Sequence, residues 1–356
     1  MRDEVKLALL RSGLPGKLRS AMARGRRALT VSKRAVKDLG MAALTRPEIY
    51  GRLRMQALQN DPITILCYHT LGPDTDQMDA WTVLRLRDFR AQIDMLRRDY
   101  DIVSLDQALD GPGDRPQAVL TFDDGDPGLF RHLLPIVQAE ALPVTLYVAT
   151  GQIADRQAYW FDRIMNALQS EGQRRINLNE EGLGAWNIGP ARGAARWQVI
   201  SDLLERLKTL PPHQREALTD RIVVQAAPVT LPKQPVGPMR LSQLHQIASE
   251  PLFTIGAHSH CHDLLDQIPL DQAAASITQS RELLQDWTDR EIRHFAYPNG
   301  NHNAALQAEL TRQGFRSATV LDNALTPRGA PPMALSRIGV GRYDSLARLR
   351  LRMVGR

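Results

Sequence analysis

The chain reads as an α/β protein whose parallel strands close, or nearly close, into a barrel. Three observations predict this. Short apolar segments recur from residue 62 onward, amphipathic helical patterns separate them, and the ends of two of the segments carry clustered ionisable residues. Strands alternating with helices imply parallel pairing through crossovers. The apolar segments are 63–69, 102–105, 118–124, 143–149, 253–259, 294–298, 317–321 and 335–340. Helical periodicity falls on 88–98, 129–140, 270–287 and 302–313 between them. Seven or so such units are enough to close a barrel.

One stretch breaks the rhythm. Residues 158–250 read mostly as helix (194–210 and 213–226), with a polar, Gly-containing stretch at 177–192 and a proline-rich run at 228–238. It is expected to be an insertion forming a wall or lid over the site. Before the first strand, residues 1–57 read as helical pieces with 14 Lys/Arg against 4 Asp/Glu. The other 299 residues hold 31 against 35, so the whole-chain charge of +6 comes from this arm. Such an arm suits peripheral contact with an anionic membrane. Solvated helices with snorkelling Lys and Arg are the plainer alternative. Nucleic-acid binding is not expected, because the arm lacks interleaved aromatics beyond Tyr50.

Apolar residues at 43% and charged residues at 24% fit a soluble globular protein. No apolar run approaches the ~18 residues of a membrane span, and the N-terminus does not read as a secretory signal. A cytoplasmic location, with contact at the inner membrane face, is the expectation. Two cysteines, Cys67 and Cys261, exclude a disulfide framework and a four-thiolate zinc site.

Chemistry concentrates in two segments. Thr121-Phe122-Asp123-Asp124-Gly125 follows an apolar strand, which puts both carboxylates at its C-terminal tip, the edge where parallel α/β folds carry catalysis. Adjacent carboxylates repel, so holding both ionised needs a cation or unequal environments. One can bind a metal while the other stays free as a base. The second segment, His258-Ser259-His260-Cys261-His262, follows another strand. His258 and His262 are four apart, so a single helical turn would aim both imidazoles the same way. Imidazole suits Zn²⁺ and related ions. His260, at i+2, is expected to point elsewhere. Two His and one Asp leave positions open for water and substrate, the pattern of a catalytic metal site.

These segments resemble the first two motifs of the polysaccharide deacetylases, carbohydrate esterase family 4. Phe295-Ala296-Tyr297-Pro298-Asn299-Gly300 resembles the third, a groove-lining loop. The resemblance covers roughly residues 60–345. It implies a distorted (β/α)7 barrel, Asp123 as general base, Asp124 with His258 and His262 as ligands of a divalent metal, Zn²⁺ by preference, and removal of acetyl from an N-acetylated sugar. It also implies that the oxyanion meets a backbone N–H near Tyr297, Pro298 and Asn299. Family members often keep the general acid as a histidine near the C-terminus, but Ala334-Leu335-Ser336-Arg337-Ile338-Gly339-Val340 has none. Ile65-Leu66-Cys67-Tyr68-His69 is similar to the circularly permuted exopolysaccharide-deacetylase branch, where an early histidine supplies the acid. His69 is therefore expected in that role, with His302 as the second candidate. The family's usual base-orienting Arg is replaced by Ala296, which leaves the partner of Asp123 unassigned.

The expected organisation is a basic helical arm at 1–57, a catalytic barrel at 58–345 with the insertion at 158–250, and a basic tail at 346–356. The competing functions are an O-acetyl esterase on the same site, a catalytically silent sugar-binding protein of the same fold, and a membrane-surface scaffold built around the arm. Trp160, Phe161 and Asp162 are candidates for lining a sugar subsite.

Overall fold

A computed structural model describes residues 41, 43–170, 175–189, 192–228, 230 and 232–356. The chain divides into two compact units, 1–53 and 54–356. Most of the basic arm expected at 1–57 lies outside the described residues; the described part holds the start of helix α1 (Pro47–Ala57). Among the described residues no helix is long and apolar enough to cross a membrane.

The second unit is a distorted (β/α) barrel. Strands β1 (Thr64–Tyr68), β5 (Gln117–Phe122), β6 (Val144–Val148), β9 (Phe253–Ala257), β10 (His294–Ala296), β11 (Ser317–Thr319) and β12 (Ile338–Gly339) are all parallel. They run in the order β11-β10-β9-β6-β5-β1-β12, and β4 (Asp101–Ile102) pairs the start of β5. The remaining gap is bridged by Leu335, whose N–H donates to Ala318 O and whose carbonyl accepts from Val320 N–H, both at 2.9 Å. A small parallel pair, β2 (Thr70–Gly72) and β3 (Val83–Arg85), follows β1.

Side-chain alternation along these strands decides what faces the interior. Leu66 and Tyr68 of β1, and Leu120 and Phe122 of β5, pack outward in the main core beneath the helices. That outer layer includes α2 (Leu86–Asp99), whose Phe89 meets Tyr68 and Phe122 edge-on at 5.5 and 5.8 Å. The intervening Ile65, Val119, Tyr147, Ala296 and Leu335 form a separate inner cluster. Helix α3 (Leu105–Asp110) plugs that cluster from the N-terminal end with Leu105 and Ala108. It starts from a capping box in which Ser104 and Gln107 satisfy each other's backbone N–H. The same alternation carries Cys67 and His69, Thr121 and Asp123, and Arg337 to the inner face towards the C-terminal mouth.

Helices α4 (Leu134–Glu140), α5 (Thr150–Asp155) and α6 (Trp160–Gln169) follow β5 and β6. Then comes the departure foreseen in sequence: α7 (Ala194–Lys208), α8 (Pro212–Ala226) and α9 (Leu241–Ser249) precede β9. Part of the polar stretch, where the sequence pattern predicts no strand, lies in an antiparallel hairpin of β7 (Arg175–Leu178) and β8 (Gly184–Asn187). Ile176 and Leu178 bury while Arg175 and Asn177 face solvent, so the strand holds on alternate apolar residues. The hairpin and α6 to α8 share their own hydrophobic core, which also takes in Met78 and Ala80 from the β2–β3 loop and Val83 of β3. Helices α10 (Leu270–Thr288), α11 (Ala304–Arg312) and α12 (Leu346–Arg352) complete the chain.

Candidate active site

His69, Asp123, Asp124 and His258 sit one or two positions past the end of a barrel strand, and the ladder they extend anchors them. Asp123 N–H donates to Tyr68 O at 3.0 Å, continuing the β1–β5 pairing. His258 N–H donates to Val148 O at 3.0 Å, continuing β6–β9. Asp124 takes a left-handed backbone (φ 74) that turns its side chain to the opposite partner set from Asp123.

The expected helical turn at 258–262 does not form. Ser259 (φ 62) and His262 (φ 56) are both left-handed, and Ser259 Oγ accepts the His262 N–H at 3.1 Å. This bend still brings the two imidazoles together, with ring centroids 4.8 Å apart. His260 turns away to Thr150 Oγ1 (2.9 Å), as its spacing implied.

Asp124 Oδ1 lies 3.2 Å from His262 Nε2 and 3.5 Å from His258 Nε2. These atoms fit a cation. His258 Nδ1 lies 2.7 Å from the Ala296 carbonyl, an acceptor, so Nδ1 carries the hydrogen and the neutral ring aims the Nε2 lone pair at the carboxylate. Burial pulls the His258 pKa down to about 4, so the ring is neutral at pH 7. Two imidazole Nε2 atoms and a buried Asp124 oxygen converge as a set that could hold a metal ion. The Tyr159 and Phe161 rings flank His262 at 5.2 and 5.1 Å and hold its plane.

Asp123 is held differently. Arg337, buried on the strand edge before β12, donates to both of its oxygens at 2.7 and 2.8 Å and lies over the Tyr147 ring. Burial pushes the Asp123 carboxyl up, but the Arg337 guanidinium outweighs it and leaves the group below its ordinary range. Cys67 Sγ adds a donor at 3.4 Å. Arg337 is the functional residue that sequence reasoning passed over: it lay in a segment read for a histidine. The interior that an arginine at position 296 would enter is reached instead from position 337. Gly256 makes room for this stack, since a Cβ there would meet the Tyr147 ring at 2.6 Å.

His69 is brought to the same place. One of its nitrogens lies within 4.8 Å of an Asp123 carboxylate oxygen, and its buried Nδ1 has no protein partner. Trp81 packs against its ring at 5.3 Å. Trp81 fits because Gly341 is bare: a Cβ there would sit 2.1 Å from Trp81 Nε1. His302 is exposed, bonded to Gly300 O at 3.1 Å, and is absent from the cavity. Two of the three expected oxyanion donors are also unsuitable. The Tyr297 N–H is committed to Thr319 O at 3.1 Å, and Pro298 has no N–H. The Asn299 N–H remains, on a left-handed residue (φ 57) at the cavity wall.

The cavity holds about 390 Å³. His69, Asp123, Asp124, His258 and His262 form its floor, and Trp160, Phe161, Trp197 and Leu204 of the insertion stand over them. Asp162 is buried on α6 but does not line the cavity.

The sequence profile described as polysaccharide deacetylase matches residues 110–179 and 224–318. In three dimensions the chain is similar to the Streptococcus pyogenes deacetylase PplD in complex with acetate, at 15% identity over 82% of this chain and 98% of that one, with a TM-score of 0.52. It is similar to IcaB from Ammonifex degensii at 17% identity over 83% and 97%, with a TM-score of 0.51. A polysaccharide deacetylase from Bacillus cereus matches at 13% identity over 82% and 69%, with a TM-score of 0.51. No curated protein matches the chain in sequence.

Proposed function

We propose that this chain, a hydrolase carrying a polysaccharide deacetylase domain, removes acetyl from an N-acetylated sugar of a glycan, using a divalent metal, Zn²⁺ by preference, held by Asp124, His258 and His262. The observation that carries the reading is the split between neighbouring carboxylates: Asp124 faces the Nε2 atoms of two histidines while Asp123 is clamped by Arg337. Paired carboxylates with divided partners are what separate ligand and base roles require.

When bound, the metal supplies Lewis acidity that polarises the acetyl carbonyl and makes water more acidic. Asp123 accepts the proton of the attacking water as the new C–O bond forms. Arg337 keeps that carboxylate ionised and fixes its plane. The Asn299 N–H faces the oxygen on which negative charge develops. His69 gives a proton to the sugar nitrogen as the C–N bond breaks, releasing acetate and a primary amine. The basic arm at 1–57 would keep this chemistry at an anionic membrane face, on the cytoplasmic side.

The test is acetate release from N-acetylated saccharides, with the new amine titrated in parallel, before and after chelation. The expected result is equal acetate and amine, lost on chelation and restored by Zn²⁺. Acetate without amine would make the enzyme an O-acetyl esterase, and no acetate from any saccharide would overturn the proposal.

A further inference from the structure

A polymer can be deacetylated at interior residues only if it can lie across the catalytic centre in a groove open at both ends. The ties between the insertion and the barrel mouth bear on that condition. The insertion leaves the barrel after β6. Tyr159 Oη donates to His260 O at 3.0 Å, fastening it over the β9 loop. Lys208 Nζ donates to Asn299 Oδ1 at 2.8 Å, fastening it over the β10 loop. On the other side, Gly237 N–H donates to Asp126 Oδ2 at 3.1 Å beside β5. The β2–β3 loop beyond β1 is fastened through Asp79, whose carbonyl accepts from Gln169 Nε2 at 2.8 Å and whose carboxylate pairs with buried Arg196 at 3.4 Å.

In ring order β1-β5-β6-β9-β10-β11-β12, these ties lie over β1, β5, β9 and β10, and the β2–β3 loop reaches on past β12, where Arg342 N–H donates to Trp81 O at 2.9 Å, which leaves the β11 sector. Two features show a fixed roof rather than a mobile flap. It has a hydrophobic core of its own, shared with the β2–β3 loop, and its ion pair to Asp79 is buried. Helix α7 turns one face to the cavity at i, i+4, i+7, i+8 and i+11: Trp197, Ser201, Leu204, Glu205 and Lys208. That helix also lies in residues 180–223, the gap in the family match.

We infer that the site is a blind pocket entered from the β11 side, taking the terminal N-acetylated sugar of a saccharide end-on and excluding interior residues of a polymer. The volume agrees. About 390 Å³ is near the lower end of ligand cavities (~300–1,000 Å³), room for a saccharide end and not for a chain passing through. This rests on the deacetylase reading and specifies its substrate.

The test measures acetate released per chain by the metal-loaded full-length protein on N-acetylglucosamine oligomers of increasing length and on the polymer of the same linkage. The expected result is a plateau of about one acetate per chain whatever the length, since specificity here is steric. Acetate rising in proportion to length would overturn the inference while leaving the deacetylase reading intact. No acetate from any oligomer would overturn both, and the two failures are thereby told apart. Trp197→Gly, which thins the roof without touching the floor, is expected to raise acetate per polymer chain by about fivefold or more over the unaltered protein. A Trp197→Gly protein that binds metal normally yet keeps the one-per-chain plateau would remove α7 as the determinant and overturn the roof argument.

Discussion

At the N-terminal end of the barrel, His294, Asp106, Arg293 and Arg316 form a cluster of the same side-chain types as His258, Asp123, Asp124 and Arg337 at the mouth. The lower cluster closes on itself. His294 Nδ1 meets Ser317 Oγ at 2.8 Å and its Nε2 meets Asp106 Oδ1 at 3.2 Å. Asp106 also takes Arg293 at 2.8 Å and is bonded by Arg316, which reaches Asp110 as well. The upper cluster is divided. Asp123 is fully engaged by Arg337, whereas Asp124 Oδ1 faces the Nε2 atoms of His262 and His258 at 3.2 and 3.5 Å. Histidine, aspartate and arginine in proximity therefore mean little alone. What separates a site from a lock is whether the lone pairs are spoken for.

The sharpest way to break the contrast is at the mouth. Asp123→Asn should lower kcat by about 10³-fold, since a positioned base contributes ~10²–10⁴. Retained turnover, measured by acetate release, would remove Asp123 as the base. His69→Gln should cost about 10²-fold at unchanged metal content, while His302→Gln should stay within about twofold. The reverse pattern would exchange the two candidates for the acid.

Arg337→Lys keeps the charge but loses the two-pronged clamp, and about tenfold in kcat is expected. Because Arg337 holds the Asp123 pKa down, and Asp123 must be ionised to take a proton, the acid limb of the pH–rate profile should move to higher pH. An unmoved limb would mean that the limb reports another group.

The smallest effect belongs to the lower cluster. The hydrogen bond from His294, with Arg293 and Arg316, holds Asp106 at about 2, below the ordinary 3.8. That depressed value contributes stability above about pH 4, lost as the pH falls towards 2. Asp106→Asn should lower Tm by a few degrees, flatten the acid end of the stability profile and leave kcat/KM unchanged. A loss of turnover without a change in Tm would make the lower cluster functional.

These two ends were unequally legible in sequence. Asp123, Asp124, His258 and His262 come in local runs at strand tips, so spacing alone assembled them. His294 could be set aside because it begins its strand, at the end away from the mouth. Arg337 could not be found that way, since it reaches Asp123 from 214 residues along the chain, across the barrel. The available signal was alternation: Leu335 and Arg337 share the inward parity, and Ile338 and Val340 the outward. The β7–β8 hairpin was missed for the opposite reason, its alternating Arg175-Ile176-Asn177-Leu178 being masked by a polar surrounding. The bend at Ser259 and His262 was invisible, because left-handed geometry at non-glycine residues leaves no mark in composition. The conclusion about the imidazoles held because two different backbone paths point them together.

The most direct test of the divided mouth is metal content by elemental analysis of the purified protein, Asp124→Ala and Asp123→Asn side by side. The expectation is about one divalent ion per chain in the unaltered protein and in Asp123→Asn, and close to none in Asp124→Ala. Equal loss of metal in both variants, or full metal in Asp124→Ala, would contradict the separation of ligand from base on which the account stands.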